Sequence, residues 1–70
     1  MPASYRVGSP FIAIKPLEDR SCKIITIPSN SMIEIRGQVL QSGLVDIWFE
    51  GQVVAAFMRD IEERCTILPG

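Results

Sequence analysis

Hydrophobic residues fill both sets of alternating positions between Gly43 and Met58, a stretch whose pattern predicts a β-hairpin. Two β-rich runs, Leu44–Phe49 and Gln52–Met58, flank Glu50-Gly51, which suits a tight turn because glycine accepts a positive φ. Successive side chains of a strand point to opposite faces. One predicted face carries Val45, Ile47, Phe49, Val54, Ala56 and Met58, and the other carries Leu44, Trp48, Val53, Ala55 and Phe57 around Asp46. A small sheet usually keeps one face polar, so this hairpin predicts a second covering layer or a partner.

Four other segments have the composition of short strands. Phe11–Lys15 is β-rich, and Cys22–Ile27 is dominated by β-branched residues. Met32–Arg36 alternates apolar and polar residues, and we expect it to bend near Gly37 and to continue as Val39–Gln41. The fourth segment is a closing strand at residues 66–68.

The segment Arg59–Arg64 is the one helical candidate. Asp60 is followed by Glu63 in the spacing of a helix-capping pattern, which predicts Asp60 as the N-cap. The return to β character at Cys65 leaves room for one or two helical turns.

These elements predict an all-β fold in a single domain. Residues 1–10 contain Pro2, Gly8 and Pro10 and are expected to form a loose N-terminal arm, although Tyr5 and Val7 could add an edge pairing. Residues 11–70 are expected to form one small β-barrel of five or six short strands, with one helical turn before the last strand. The predicted bend near Gly37 fits, because a small barrel needs glycines or bulges to curl.

A chain of 70 residues buries too little apolar surface to be more than marginally stable alone. A metal is not expected to supply the difference, because the chain has no His and its two Cys do not form a zinc ligand set. A disulfide between Cys22 and Cys65 stays open, but the N-terminus lacks the apolar core of a signal peptide, so we expect reduced thiols in a cytoplasmic protein. Oligomerisation is the remaining source of stability.

The chemistry of the side chains argues against catalysis and against a cofactor. Histidine, the most common general acid and base, is absent, and the carboxylates fall at turns or at outward strand positions. Cys65 follows a helix C-terminus, which does not activate a thiol. The net charge of −1 without a block of like charge predicts no nucleic-acid tail, and no apolar run approaches the roughly 20 residues of a membrane span.

The layout from Phe11 to Leu68 resembles an SH3-like barrel. The features that carry this resemblance are the bend at Gly37, the hairpin that contains Trp48, and the short helical turn before the last strand. The chain also resembles a type of small uncharacterised bacterial protein with a Gly-Leu-Val-Asp motif, a Glu-Gly turn and an Asp-Ile-x-Glu-Arg ending. This resemblance implies no known activity.

A second resemblance is to the carbon-storage-regulator family, small intertwined β dimers that bind messenger RNA. The strand of small apolar residues before Arg59-Asp60-Ile61-Glu62 is similar to the strand that leads into the helix of that family. The resemblance implies an alternative function, RNA-binding post-transcriptional regulation, in which Lys15, Arg36 and Arg59 would contact phosphates.

Trp48 is the leading candidate for a functional residue, although a core position is equally compatible with the sequence, because tryptophan is highly buried on average. It shares its predicted face with Asp46, whereas the opposite face is an uninterrupted apolar row better suited to a core. The sequence therefore predicts a non-catalytic binding or assembly module that forms homo-oligomers or binds another protein. The candidate protein interface comprises Leu44, Trp48, Val53 and Phe57.

Overall fold

Seven strands and one short helix make up the regular structure of residues 3–69, the part of the chain that the computed structural model describes. The elements are β1 (Ser4–Val7), β2 (Phe11–Pro16), β3 (Cys22–Ile27), β4 (Met32–Ile35), β5 (Leu44–Phe49), β6 (Gln52–Phe57), α1 (Met58–Arg64) and β7 (Cys65–Ile67). The prediction of an all-β chain with one helical segment before the last strand is confirmed.

The strands form one antiparallel sheet in the order β3-β2-β6-β5-β4-β1-β7. Within residues 3–69 this sheet is open, with β3 at one end and β7 at the other. The predicted closed barrel of five or six strands therefore differs from the structure in its strand count and in its closure.

The additional strand comes from the N-terminal segment, where the sequence predicts a loose arm. Ser4–Val7 forms β1 and pairs with β4 on one side and with β7 on the other. Tyr5 lies opposite both Ile33 and Ile67, and Val7 is completely buried. The alternation of Tyr5 and Val7 was the available signal, and pairing on both sides outweighs the nearby proline and glycine. Met1 and Pro2 lie outside the described residues.

The bend after β4 also differs from the prediction. Residues 36–43 form a loop, and Val39–Gln41 is not a strand. Within this loop the Leu40 N–H donates to the Leu44 carbonyl at 2.8 Å, and the Gly43 N–H donates to the Leu40 carbonyl at 2.9 Å. These bonds satisfy backbone groups that the predicted strand would have paired across a sheet.

The hairpin predicted around Glu50-Gly51 is confirmed. Both turn residues have a positive φ, +49° at Glu50 and +78° at Gly51, as a two-residue turn that matches the twist of the flanking strands requires. Its strand β5 has the predicted bounds, and β6 ends one residue before the predicted Met58.

The helix begins earlier than predicted and without the predicted cap. Phe57 is the N-cap and makes no side-chain capping bond, while Asp60 lies in the first turn. Asp60 instead forms an ion pair with Arg64, whose Nε lies 3.9 Å from Asp60 Oδ1. The helix follows β6 directly because Ile61, which is fully buried, anchors it to the core.

The hydrophobic core lies on one side of the sheet, and Ile61 of α1 belongs to it. Five of the six residues assigned to one face of the hairpin are buried there, and Met58 packs against them partly buried, which confirms the predicted face. The buried core residues are Val7, Phe11, Ala13, Ile27, Ile33, Val45, Ile47, Phe49, Val54, Ala56 and Ile61.

Candidate functional site

The four residues of the candidate interface lie together on the side of the sheet that faces away from the core. Leu44 lies opposite Phe57 in the β5–β6 register, and Trp48 lies opposite Val53. Trp48, Val53 and Phe57 are 39%, 45% and 41% exposed, and Leu44 is half-buried. The sequence alone left open whether Trp48 belongs to the core, and the structure places it outside the core.

Strands β2 and β3 extend this apolar surface beyond the hairpin. Ile14 on β2 lies opposite Ala55 on β6 and opposite Ile24 on β3. Ile12 is 51% exposed and Ile24 is 68% exposed. We call the combined surface the outer apolar face, and its members are Ile12, Ile14, Ile24, Leu44, Trp48, Val53, Ala55 and Phe57. The contribution of β2 and β3 was missed because it depends on the pairing of β2 with β6, which are far apart in sequence.

Polar groups border the outer apolar face at Trp48. The guanidinium carbon of Arg36 lies 5.0 Å from the centroid of the Trp48 ring, within the range of a cation–π interaction. Glu34 lies opposite Trp48 in the β4–β5 register, and its Oε1 is 3.8 Å from Arg36 Nε. Trp48 also lines a shallow depression with Ser4, Met32, Ile33 and Glu34. A large aromatic side chain with a charged rim is typical of a protein-binding surface.

The three residues of the RNA alternative lie on separate elements. Lys15 is on β2, Arg36 is in the loop after β4, and Arg59 is on α1. Strands β6 and β5 lie between Lys15 and Arg36 in the sheet. Each arginine has a carboxylate nearby: Arg59 Nε is 3.1 Å from Glu63 Oε1, and Arg36 pairs with Glu34.

Among the ionisable groups of the described residues, Asp19 and Cys65 have a shifted pKa. No group of three or more His, Cys, Asp or Glu side chains in this part of the chain is placed to hold a metal ion. The pKa of Asp19 is lowered because the Ser21 hydroxyl and the Ser21 N–H both donate to its carboxylate. This bond pair orders an exposed turn.

The two cysteines are free thiols with different surroundings. Cys22 is exposed at the start of β3, and Cys65 is partly buried at the start of β7. Burial raises the pKa of the Cys65 thiol, and the negative charge of Asp60 raises it further. Because the thiolate is the nucleophile, this environment lowers the reactivity of the Cys65 thiol.

This difference predicts the order of alkylation. In the folded protein at pH 8, iodoacetamide is expected to modify Cys22 clearly faster than Cys65, and in denaturant the two rates should converge. Peptide mass spectrometry after timed quenching measures both rates. Cys22→Ser is the control, because its only remaining thiol should react slowly until the chain is unfolded. Faster labelling of Cys65 than of Cys22 in the folded protein would contradict the assignment.

None of the described residues belongs to a helix long and apolar enough to cross a membrane. Comparison of the chain with protein-family models, with curated proteins and with solved structures gave no significant match. The resemblances to SH3-like barrels, to small bacterial proteins and to the carbon-storage-regulator family therefore remain predictions.

Proposed function

We propose that this protein is a non-catalytic binding or assembly module that uses its outer apolar face for protein–protein contacts, including self-association. The observation that supports this most directly is the exposure of Trp48, Val53 and Phe57 side by side on paired strands. Isolated exposed apolar side chains are ordinary, whereas a contiguous set that spans four strands marks an interaction surface.

The energetic argument concerns what this surface gains from a partner. Complete burial of one large apolar side chain contributes about 1.5–3 kcal/mol relative to exposure. Trp48, Val53 and Phe57 are each about two-fifths exposed, so about two-fifths of that burial free energy is still available at each of them when a partner covers the face. For a domain of 70 residues, whose core alone gives only a few kcal/mol, covering this face would add substantially to stability.

The rim around Trp48 supports a specific contact. The Arg36 guanidinium lies over one part of the indole ring, and Glu34 lies beside it. Charged groups at the edge of an apolar contact fix the orientation of a partner more than they add affinity. The proposed surface therefore combines an apolar centre with a polar border.

The proposal includes an SH3-like order of elements and a cytoplasmic location. The first is supported by the Trp48 hairpin and by the seven-residue helix that precedes the last strand. The second is supported by the free thiols of Cys22 and Cys65, because reducing compartments keep thiols unpaired. The RNA alternative gains no support from the separate positions of Lys15, Arg36 and Arg59.

Trp48→Glu tests the proposed face. The variant is expected to remain folded, because Trp48 lies outside the core, and to lower the mass of the oligomer by at least half, because an unpaired carboxylate would be buried in the contact. Val39→Glu is the matched control: it adds the same charge at a residue that is half exposed in the loop after β4, and its mass should equal that of the wild type. Sedimentation gives the mass and circular dichroism the folded state.

Salt dependence separates the two functions in the same experiment. Hydrophobic self-association should persist or strengthen in kosmotropic salt, whereas binding of an RNA probe should weaken steeply as salt rises. A folded Trp48→Glu protein with the wild-type mass would refute self-association through this face. Salt-sensitive RNA binding that is lost in Arg59→Ala would favour the alternative.

A further inference from the structure

Among residues 3–69, strand β3 is an open edge of the sheet, since it pairs with β2 on one side only. The orientation of its backbone follows from the adjoining turn. The Leu17 N–H donates to the Ser21 carbonyl at 2.9 Å just beyond the ends of β2 and β3, and this pair continues the β2–β3 register at a hydrogen-bonded position. Bonded and non-bonded pairs alternate along an antiparallel ladder. The next pair, Pro16 with Cys22, is therefore non-bonded, which suits proline because it has no N–H.

Continuing this alternation assigns every backbone group of β3. Lys23, Ile25 and Ile27 direct their N–H and carbonyl groups toward β2, while Cys22, Ile24 and Thr26 direct theirs toward the open edge. The three open residues lie symmetrically about Ile24. An antiparallel copy of the same strand can thus meet all of them at once.

We propose that β3 pairs with β3 of a second copy across a two-fold axis at Ile24, which makes one continuous sheet from two chains. Ile24 of each copy would lie opposite Ile24 of the other, and Cys22 would lie opposite Thr26. Three pairs that each exchange two hydrogen bonds give about six bonds. This contact uses the backbone at the edge of the sheet and goes beyond the proposed outer apolar face, with which it shares the Ile24 side chain.

The chemistry of β3 suits a second copy as the occupant. The strand contains no proline, and Lys23 is its one charged residue. Natural sheets block their edges with prolines, bulges and charged side chains, lysine especially, and Lys23 is the one such residue on this strand. In the proposed register Lys23 lies opposite Ile25, so the two lysines do not face each other, while the exposed Ile24 side chains come into contact.

The other edge of the sheet does not offer the same ladder. Strand β7 has three residues, and the Cys65 N–H already donates to the Ile61 carbonyl at the end of α1. A self-complementary contact of three residue pairs is therefore available at β3 and not at β7.

Ile24→Pro removes the central open N–H without removing a bond to β2. The expected result is loss of the β3 contact, measured by sedimentation as at least a halving of the wild-type mass with an unchanged circular dichroism spectrum. Ile24→Val is the control, because it keeps both the N–H and the β-branched side chain. A folded Ile24→Pro protein that keeps the wild-type mass would overturn the proposal.

A cross-linking variant tests the register even if proline disturbs the strand. Ile24→Cys, placed in a Cys22→Ser background, should form an intermolecular disulfide under mild oxidation, because directly opposite Cα atoms lie about 5.5 Å apart, within disulfide range. The wild-type Cys22 is the control. In this register the two Cys22 residues are offset by four positions, on the order of 14 Å, and should not cross-link. Cross-linking at Cys22 and not at residue 24 would overturn the register.

The masses of the two variants show which of the two proposed interfaces, if either, is wrong. If the edge contact is wrong, Ile24→Pro keeps its mass, because proline leaves an apolar side chain on the outer apolar face, while Trp48→Glu still loses part of its mass. If the outer apolar face is not an interface, Trp48→Glu keeps its mass while Ile24→Pro dissociates. A wild-type protein that is monomeric at millimolar concentration would overturn the edge contact outright.

Discussion

A chain that ends at Phe57 is expected to be unfolded at 25 °C. The truncation removes α1 and β7, and with them the buried Ile61 side chain, which fills the core beneath the sheet. It also leaves β1 paired on one side only and uncovers Val7, which is fully buried in the intact protein. A domain of this size has only a few kcal/mol of net stability, so losing these contacts together removes the folded state.

Thermal unfolding followed by circular dichroism provides the measurement. The matched control is a chain that ends at Leu68, which keeps β7 and the bond from the Leu68 N–H to the Ser4 carbonyl at 2.8 Å. This control should unfold cooperatively near the wild-type midpoint. A cooperative transition in the chain that ends at Phe57 would show that α1 and β7 are dispensable for the fold.

Ile27→Ala is expected to destabilise the protein by about 2–5 kcal/mol, the usual range for truncating a fully buried isoleucine. Ile27 is 0% exposed and lies opposite Phe11, another core residue. A loss of this size is comparable to the whole free energy of unfolding of a 70-residue domain. A large fraction of the variant should therefore be unfolded without denaturant.

The same substitution three residues earlier on β3 is the control. Ile24 is 68% exposed, so Ile24→Ala should cost less than about 1 kcal/mol, mainly through lower β-propensity. Urea unfolding of both variants in dilute solution, where association contributes little, measures the difference. Equal destabilisation of the two variants would contradict the assignment of one face of β3 to the core.

The predictable parts of the fold were those encoded by neighbouring residues. The hairpin at Glu50-Gly51 is local, because its turn and its alternating residues lie within one short stretch, and its core face was predicted correctly. The position of β1 between β4 and β7 is not local. A four-residue strand with proline and glycine nearby has a weak pattern, and its pairing on both sides becomes evident only in three dimensions.

The candidate site divides along the same line. Leu44, Trp48, Val53 and Phe57 were found together because they alternate within one hairpin. The contact of Arg36 with the Trp48 ring depends on the register of β4 against β5. A loop connects these two strands, and the sequence of that loop does not reveal which register they adopt. The Asp60 cap was wrong because burial of Ile61 fixes where α1 begins, and this tertiary contact outweighs the local capping pattern.

The neighbourhood of β1 and β7 has a consequence for how the chain acquires its structure. Strand β1 receives one of its two neighbours from β7, which is synthesised after all the other strands described here. Contacts between segments so distant in sequence carry a high loop-closure cost and slow the folding of all-β domains. During synthesis β1 therefore lacks this neighbour until β7 emerges, and the β1–β7 ladder closes only after the other strands of the sheet have left the ribosome.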